Sequence, residues 1–237
     1  MTWKKSNKNL MAPTDIRIDF PDDVRSRKVV TRSRARPTGK YPSWKAGRML
    51  QWESPHELNA FRVLDADPDV RTFREQPCVI RYTLTGESRI HYPDVLVESR
   101  SRLELWEIKP AAEAAKPDVA ERTRVLAEGL PELGYAYRLQ TAEDLAREPR
   151  LSNALALLKF GRVPVPALAR ERLRRMTEAA GGVFWGAVVS GSLGPGMRAA
   201  VCRLALEGVL SFDRERPLVG DSRLIWAMSH ASTGTEG

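Results

Sequence analysis

At 237 residues the chain has room for one ordinary domain and a smaller second one, and a hydrophobic share of 42% supplies a core that needs no covalent staples. Two cysteines (Cys78, Cys202) and three histidines (His56, His91, His230), none in paired spacing, exclude a zinc finger, a disulfide framework and a histidine-rich nuclease motif. The net charge of +8, with no run approaching about eighteen apolar residues and no apolar stretch after Met1-Thr-Trp-Lys-Lys5, excludes a membrane span and leads to the expectation of a cytoplasmic protein.

The charge is unevenly placed along the chain. Residues 1–50 hold 13 Lys and Arg against 4 Asp and Glu, residues 51–150 hold 14 against 19, and residues 151–237 hold 11 against 7. The opening segment, 1–50, reads as a basic arm. Its turn-rich stretch Thr31–Lys40 puts forward Arg32, Arg34, Arg36 and Lys40 as phosphate contacts, with Lys45 just beyond. A domain over 51–160 follows. It opens with a helix capped by Ser54, with Pro55 in its first position, that runs to about Ala66 with Leu58, Phe61 and Leu64 or Val63 on its apolar side. Asp67-Pro68-Asp69 breaks it.

Three strands come next. Val70–Glu75 continues after Pro77 as Cys78–Leu84, and Ile90–Val97 and Leu103–Lys109 follow, with turn signals at Thr85-Gly86-Glu87 and Glu98–Ser101 that predict an antiparallel meander. A helix from Pro117 to Leu130, ended by Pro131 and Gly134, leads to a fourth strand, Tyr135–Gln140, which must lie parallel to its neighbour because a helical crossover precedes it. Trp44 and Trp52 flank the entrance of the first helix and are expected to pack rather than stack on bases.

A second domain is expected over 161–228. It holds a basic helix Ala167–Ala180 stopped by Gly181-Gly182, an apolar segment Val183–Val189, a helix Met197–Glu207, and two short strands near Val209–Phe212 and Leu224–Ala227. That order resembles a winged helix, with Met197–Glu207 in the recognition position. Its Arg198 and Arg203 are a modest charge, so protein docking and base reading both stay open. The tail 229–237 is expected to be disordered.

Chemistry concentrates on the middle strands. Glu107 and Lys109 are two apart and leave one face together while Ile108 packs on the other, and Asp94 closes the preceding strand in Tyr92-Pro93-Asp94. Burying such charges is costly unless each has a partner or a cation. An acid, then Glu-Ile-Lys, on a central hairpin is the PD-(D/E)xK signature of metal-dependent nucleases, and helix, three strands, helix, strand is the order of the restriction-endonuclease-like core. Phosphodiester hydrolysis needs a nucleophilic hydroxide and charge neutralisation, which Mg²⁺, or Mn²⁺ in its place, supplies through oxygen ligands. Asp94 is assigned as principal ligand, Glu107 as second, the Ile108 carbonyl as third, and Lys109 as the group over the attacking water. Glu57 is either a further site acid or the acid of a capping box with Ser54, and Glu53 competes with it. Gln76 either reaches the site from the first strand or satisfies backbone groups beside Pro77.

Four stretches, Glu53-Ser-Pro-His-Glu57, Phe73-Arg-Glu-Gln76-Pro77, Tyr92-Pro-Asp94 and Trp106-Glu-Ile-Lys109-Pro-Ala-Ala112, resemble the TnsA family, the endonuclease subunits of heteromeric transposases. Gln140–Asp144 and Leu151-Ser-Asn153 extend the similarity over most of the first 160 residues. The resemblance implies that Glu57, Asp94 and Lys109 hold the catalytic positions, and favours Glu57 over Glu53. It also implies cleavage of the 5′ strands of double-stranded transposon ends beside a TnsB-type transposase, with a TnsC-type ATPase as partner. A stand-alone restriction or repair nuclease of the same fold, and a non-catalytic DNA-binding assembly module, are the alternatives. The first would cut unaided, and the second would have lost a member of the Glu57, Asp94, Glu107, Lys109 set.

Overall fold

The computed structural model describes residues 9–11, 15–21 and 37–227; Arg32, Arg34, Arg36 and the tail from 229 lie outside them. The chain divides into two compact units, one holding residues up to Asp65 with Asp69–Arg147, the other Ala66–Pro68 with the chain from Glu148 onward.

The first unit runs β1 (Asn9–Met11), β2 (Arg17–Asp19), the hairpin β3 (Gly39–Ser43) and β4 (Arg48–Trp52), α1 (Pro55–Ala66), β5 (Val70–Glu75), β6 (Val79–Leu84), β7 (Glu87–His91), β8 (Val95–Ser99), β9 (Leu103–Lys109), α2 (Ala111–Ala114), α3 (Pro117–Gly129), β10 (Tyr135–Thr141) and α4 (Ala142–Leu145). Its central sheet has the order β10-β9-β8-β5. All neighbours are antiparallel except β9 and β10, which run parallel in register from Leu103–Tyr135 to Lys109–Thr141. The crossover through α3 makes that direction possible, and Gly134, at φ 83°, turns the chain back into β10.

The structure corrects two expectations. The segment 1–50 is not an arm throughout: β1 and β2 join the sheet of β6, and the β3–β4 hairpin buries Tyr41 and Leu50 in the core. The sequence also predicts one meander, with Val70–Glu75 continuing after Pro77 as Cys78–Leu84 and Ile90–Val97 as a single strand; instead the chain breaks at Gln76-Pro77 and at Tyr92-Pro93, opposite one another, and β6 and β7 turn away into a second sheet of order β1-β2-β6-β7. The physical reason is the facing pair of prolines, Pro77 and Pro93, neither of which can donate to a ladder. Gln76 takes the corner with φ 42°, and its amide donates to the Asp94 carbonyl at 2.8 Å, so the two breaks are tied together.

The central sheet is buried on both faces with the period of two that strands impose. Val95, Val97, Trp106 and Ile108 meet Phe61 and Leu64 of α1 and Tyr41 and Leu50 of the β3–β4 hairpin. Leu96 and Leu105 face the other way, onto Leu126, Leu130 and Tyr137. Buried Asp65, at the end of α1, fastens the hairpin by accepting from the Tyr41 hydroxyl at 2.9 Å and the Ser43 hydroxyl at 2.7 Å. Both tryptophans are packing residues here: the Trp44 indole donates to the Asp65 carbonyl at 2.9 Å, and the Trp52 ring lies where a Cβ on Gly39 would come within 2.5 Å of it.

The second unit contains α5 (Arg150–Leu158), α6 (Ala167–Ala180), β11 (Val183–Phe184), α7 (Trp185–Ser190), α8 (Met197–Leu206), β12 (Leu210–Ser211) and β13 (Arg223–Trp226), with an antiparallel sheet of order β11-β13-β12. The apolar segment Val183–Val189 is thus mostly helix. Residue types explain the packing of α8: Met197, Ala200, Val201, Cys202, Leu204, Ala205 and Leu206 are all buried, and Gly161 lets the backbone pass so close that a Cβ there would lie 2.8 Å from the Cys202 carbonyl carbon. Its arginines are engaged within the protein. Arg198 donates to the Val188 and Val189 carbonyls, and Arg203 pairs with Glu207 at 2.7 Å. Buried Asn153 holds the loop before β13, donating to the Arg216 carbonyl at 2.8 Å and accepting from the Leu218 amide at 2.9 Å. Cys78 and Cys202 are buried and free, and burial pushes both thiols well above their ordinary pKa.

Candidate active site

Asp94 owes its position to the proline before it. The strand stops at His91 and resumes at Val95, yet Asp94 keeps a ladder bond on each side, its amide donating to the Trp106 carbonyl at 2.9 Å and its carbonyl accepting from Gln76. Its Oδ2 then accepts from the Ile108 amide at 2.7 Å, which pins the carboxylate over β9. Burial, followed by the charges of Glu107 and Glu57, holds the Asp94 carboxyl well above the usual carboxylate range; the Ile108 bond and Lys109 only partly offset this.

Glu107 is 3% exposed, on the α3 side of β9, and is surrounded by cationic and polar groups. The Lys109 ammonium lies 2.7 Å from its Oε1, Arg122 of α3 lies 3.4 Å from the same oxygen, and His91 Nε2 lies 3.4 Å from Oε2. Burial works against the Lys109 ammonium, but the charge and hydrogen bond of Glu107, then the charge of Asp94, outweigh it and raise the lysine pKa. His91 is held neutral: burial first, then Arg122 and Lys109, pull its pKa down to about 3. Its ring nitrogen shares a 2.9 Å hydrogen bond with the Tyr137 hydroxyl of β10.

The structure therefore brings Asp94, Glu107, Lys109 and the Ile108 backbone together as the strand period predicts. Glu57 answers to both of its descriptions. Its oxygens accept from the Glu53 amide and the Ser54 hydroxyl, each at 3.0 Å, and Ser54 Oγ accepts from the Glu57 amide at 3.2 Å, which is a capping arrangement; its charge nevertheless reaches Asp94. Gln76 donates through Nε2 to Glu53 Oε1 at 2.6 Å, while its Oε1 is buried with no hydrogen-bond partner among the described residues. Of the basic candidates, Lys40 is exposed on β3, whereas the Lys45 ammonium donates to the Leu64 carbonyl at 2.9 Å, near the C-terminal end of α1. Sequence reasoning missed His91, Arg122 and Tyr137. A signal existed for Arg122, which stands three residues after buried Val119 and four before buried Leu126, an apolar-stripe position on α3.

Among the described residues no three His, Cys, Asp or Glu side chains stand as a ready metal cage. The donor chemistry nonetheless fits a hard divalent cation. Asp94 carries an only partly offset repulsion from two other carboxylates that such a charge would relieve, and the Lys109 ammonium on Glu107 Oε1 is a group that a cation can replace. The arrangement can thus gather positive charge beside an anionic ester and keep an ammonium next to the reacting oxygen.

No curated protein matches the chain. The family model described as TnsA-like endonuclease N terminal matches residues 67–142, the stretch that contains Gln76, Asp94, Glu107 and Lys109 and leaves Glu57 before it. Residues 67–142 of this protein are similar to the N-terminal domain of TnsA-like endonucleases.

Proposed function

We propose that this protein is the DNA-cleaving subunit of a heteromeric transposition system, hydrolysing the 5′ strands at double-stranded transposon ends beside a TnsB-type transposase and a TnsC-type ATPase, with Mg²⁺ as cofactor and Mn²⁺ able to substitute. The observation that carries this reading is the pinned Asp94 facing the Glu107–Lys109 pair on adjacent strands inside a TnsA-like endonuclease domain. Asp94, the Ile108 carbonyl and, once it exchanges partners, Glu107 would hold the cation, with Glu57 as the acid nearest to joining them. When bound, that ion supplies charge neutralisation on the phosphate and acidifies a water.

The remaining work falls to the chain. Lys109, kept protonated by its carboxylate neighbours, orients the attacking water and faces the charge that develops as the new O–P bond forms and the P–O ester bond breaks, the water's proton passing to solvent and the departing oxygen taking one from it. Gln76 fixes the backbone of Asp94 and turns Glu53 toward the same corner. In the second unit, the order helix, strand, two helices and two strands, with sheet order β11-β13-β12, supports a winged-helix arrangement. The engaged arginines and buried residues of α8 favour docking to a protein partner over base reading.

Strand cleavage at a transposon-end duplex, with the partner transposase and with or without EDTA, tests the reading. Nicking of the 5′ strands that needs the divalent cation and is slow without partners is expected. Full activity in EDTA would overturn the metal mechanism, and rapid cutting of plain duplex by the isolated chain would favour a stand-alone nuclease.

A further inference from the structure

Three elements bring a buried polar group against Glu107. His91 ends β7, Tyr137 lies in the middle of β10 and Arg122 projects from α3. The Tyr137 hydroxyl and His91 Nε2 are 2.9 Å apart with the two rings edge to face, their centroids 5.8 Å apart. From there, His91 Nε2 reaches Glu107 Oε2 at 3.4 Å, and Arg122 flanks Oε1 at 3.4 Å while also lying beside the Tyr137 hydroxyl. The Arg122 Nε is buried with no hydrogen-bond partner among the described residues. Replacing so polar a cluster with apolar side chains of similar volume is often neutral or stabilising, so stability alone gives no reason for it. What the cluster does have in common is Glu107.

We propose that His91, Tyr137 and Arg122 are positioning residues for Glu107: a single His91 Nε2–H is shared between the Tyr137 hydroxyl and Glu107 Oε2, Arg122 holds Oε1, and the carboxylate is thereby kept facing Asp94. The proposal rests on the nuclease reading of the same site. It assigns to β7, β10 and α3 the task of orienting a ligand carried by β9, which is how outer partners of a metal site commonly act.

The test uses the full chain and Mn²⁺ alone, read from the free-ion EPR signal, beside cleavage in the assembled system. Tyr137→Phe removes one hydroxyl and keeps the ring; His91→Leu removes the ring nitrogens; His91→Gln returns an N–H near the position of Nε2. Tyr137→Phe and His91→Leu should weaken Mn²⁺ binding by about 10–100-fold, and His91→Gln should recover part of the loss. Tyr41→Phe, which removes a buried hydroxyl that donates to Asp65 in the other core, serves as the control and should bind Mn²⁺ as the parent protein does. Parent-like Mn²⁺ affinity in both Tyr137→Phe and His91→Leu overturns the proposal, as does a loss that Tyr41→Phe shares and that follows the melting temperature. Should His91→Leu fail to fold, Tyr137→Phe alone decides. A parent protein that neither binds Mn²⁺ nor cuts DNA overturns the nuclease reading, and this proposal falls with it.

Discussion

Asp94 and Glu107 belong to one site, yet the protein treats their charges oppositely, and this sets different expectations for removing each. The Asp94 pKa is raised in the folded state by burial and by Glu107 and Glu57, so the ionised form destabilises the fold without a cation, and stability falls as pH rises above the ordinary value of 3.8 toward the raised one. Asp94→Asn keeps an oxygen for the Ile108 amide and removes the repelled charge. It should melt higher than the parent at neutral pH without metal, by about 2–4 °C for each kcal/mol gained, while abolishing single-turnover cleavage. Glu107→Gln withdraws the partner of Lys109 and Arg122 and should cost up to about 3 kcal/mol, while cleavage is only weakened because a neutral amide oxygen can still coordinate. Thermal melts in EDTA and single-turnover rates against metal concentration check both. A lower melting temperature for Asp94→Asn, or an equally dead Glu107→Gln, would refute the unequal roles. Asp94, Glu107 and Lys109 were legible in the sequence because a strand alternates its side chains with period two. His91, Tyr137 and Arg122 were not, because they converge from a hairpin end, a distant parallel strand and a helix, and no fixed spacing links such positions.

Between elements, the corner at Gln76 makes the central hairpin into two sheets and leaves Asp94 at the break. A residue other than glycine at φ 42° stores strain of roughly 1–3 kcal/mol, which the Glu53 and Asp94 bonds of Gln76 hold in place. Gln76→Ala loses the side-chain bond and keeps the strain, whereas Gln76→Gly loses the bond and relieves it. Urea unfolding should therefore show Gln76→Ala less stable than Gln76→Gly by about 1 kcal/mol, and both should cut more slowly than the parent. Equal stability of the two would mean that the corner carries no strain. Helix α1, the crossover helix α3, the turn at Thr85-Gly86 and the parallel direction of β10 could be read in advance, since each follows from a local signal or a connection rule, whereas β1–β2 and the β3–β4 hairpin lie in what reads as an arm. The division into two sheets could not. Both prolines were visible, but only the register that sets Pro77 across from Pro93 turns two local defects into one bend.

On the proposed function, a basic chain must bring phosphate to an acidic site, and its basic residues do not all serve that end. Lys45 illustrates the distinction, because its ammonium is taken by the Leu64 carbonyl near the C-terminal end of α1 and lies by Trp44, 5.4 Å from the ring centroid, so it acts as a helix-end cation. On α6, Arg174 pairs with Glu171 at 2.9 Å and Glu178 at 2.6 Å, and Arg175 with Glu171 at 2.8 Å, so these two arginines are neutralised within the helix. On the same reading, the surplus of the first 50 residues, 13 Lys and Arg against 4 Asp and Glu, is the proposed source of non-specific affinity. Neutralising Arg32, Arg34, Arg36 and Lys40 together should flatten the dependence of log K on log salt by up to about 0.9 for each phosphate that the arm no longer neutralises. Lys45→Met should leave that slope unchanged and instead lower the melting temperature, at a cost of about 0.3–1 kcal/mol. Titrating a fluorescent duplex with each variant from low to physiological salt, beside a thermal melt, separates the two. An unchanged slope in the fourfold variant would take the arm out of DNA binding, and a flattened slope in Lys45→Met would show that the Leu64 carbonyl gives way to phosphate.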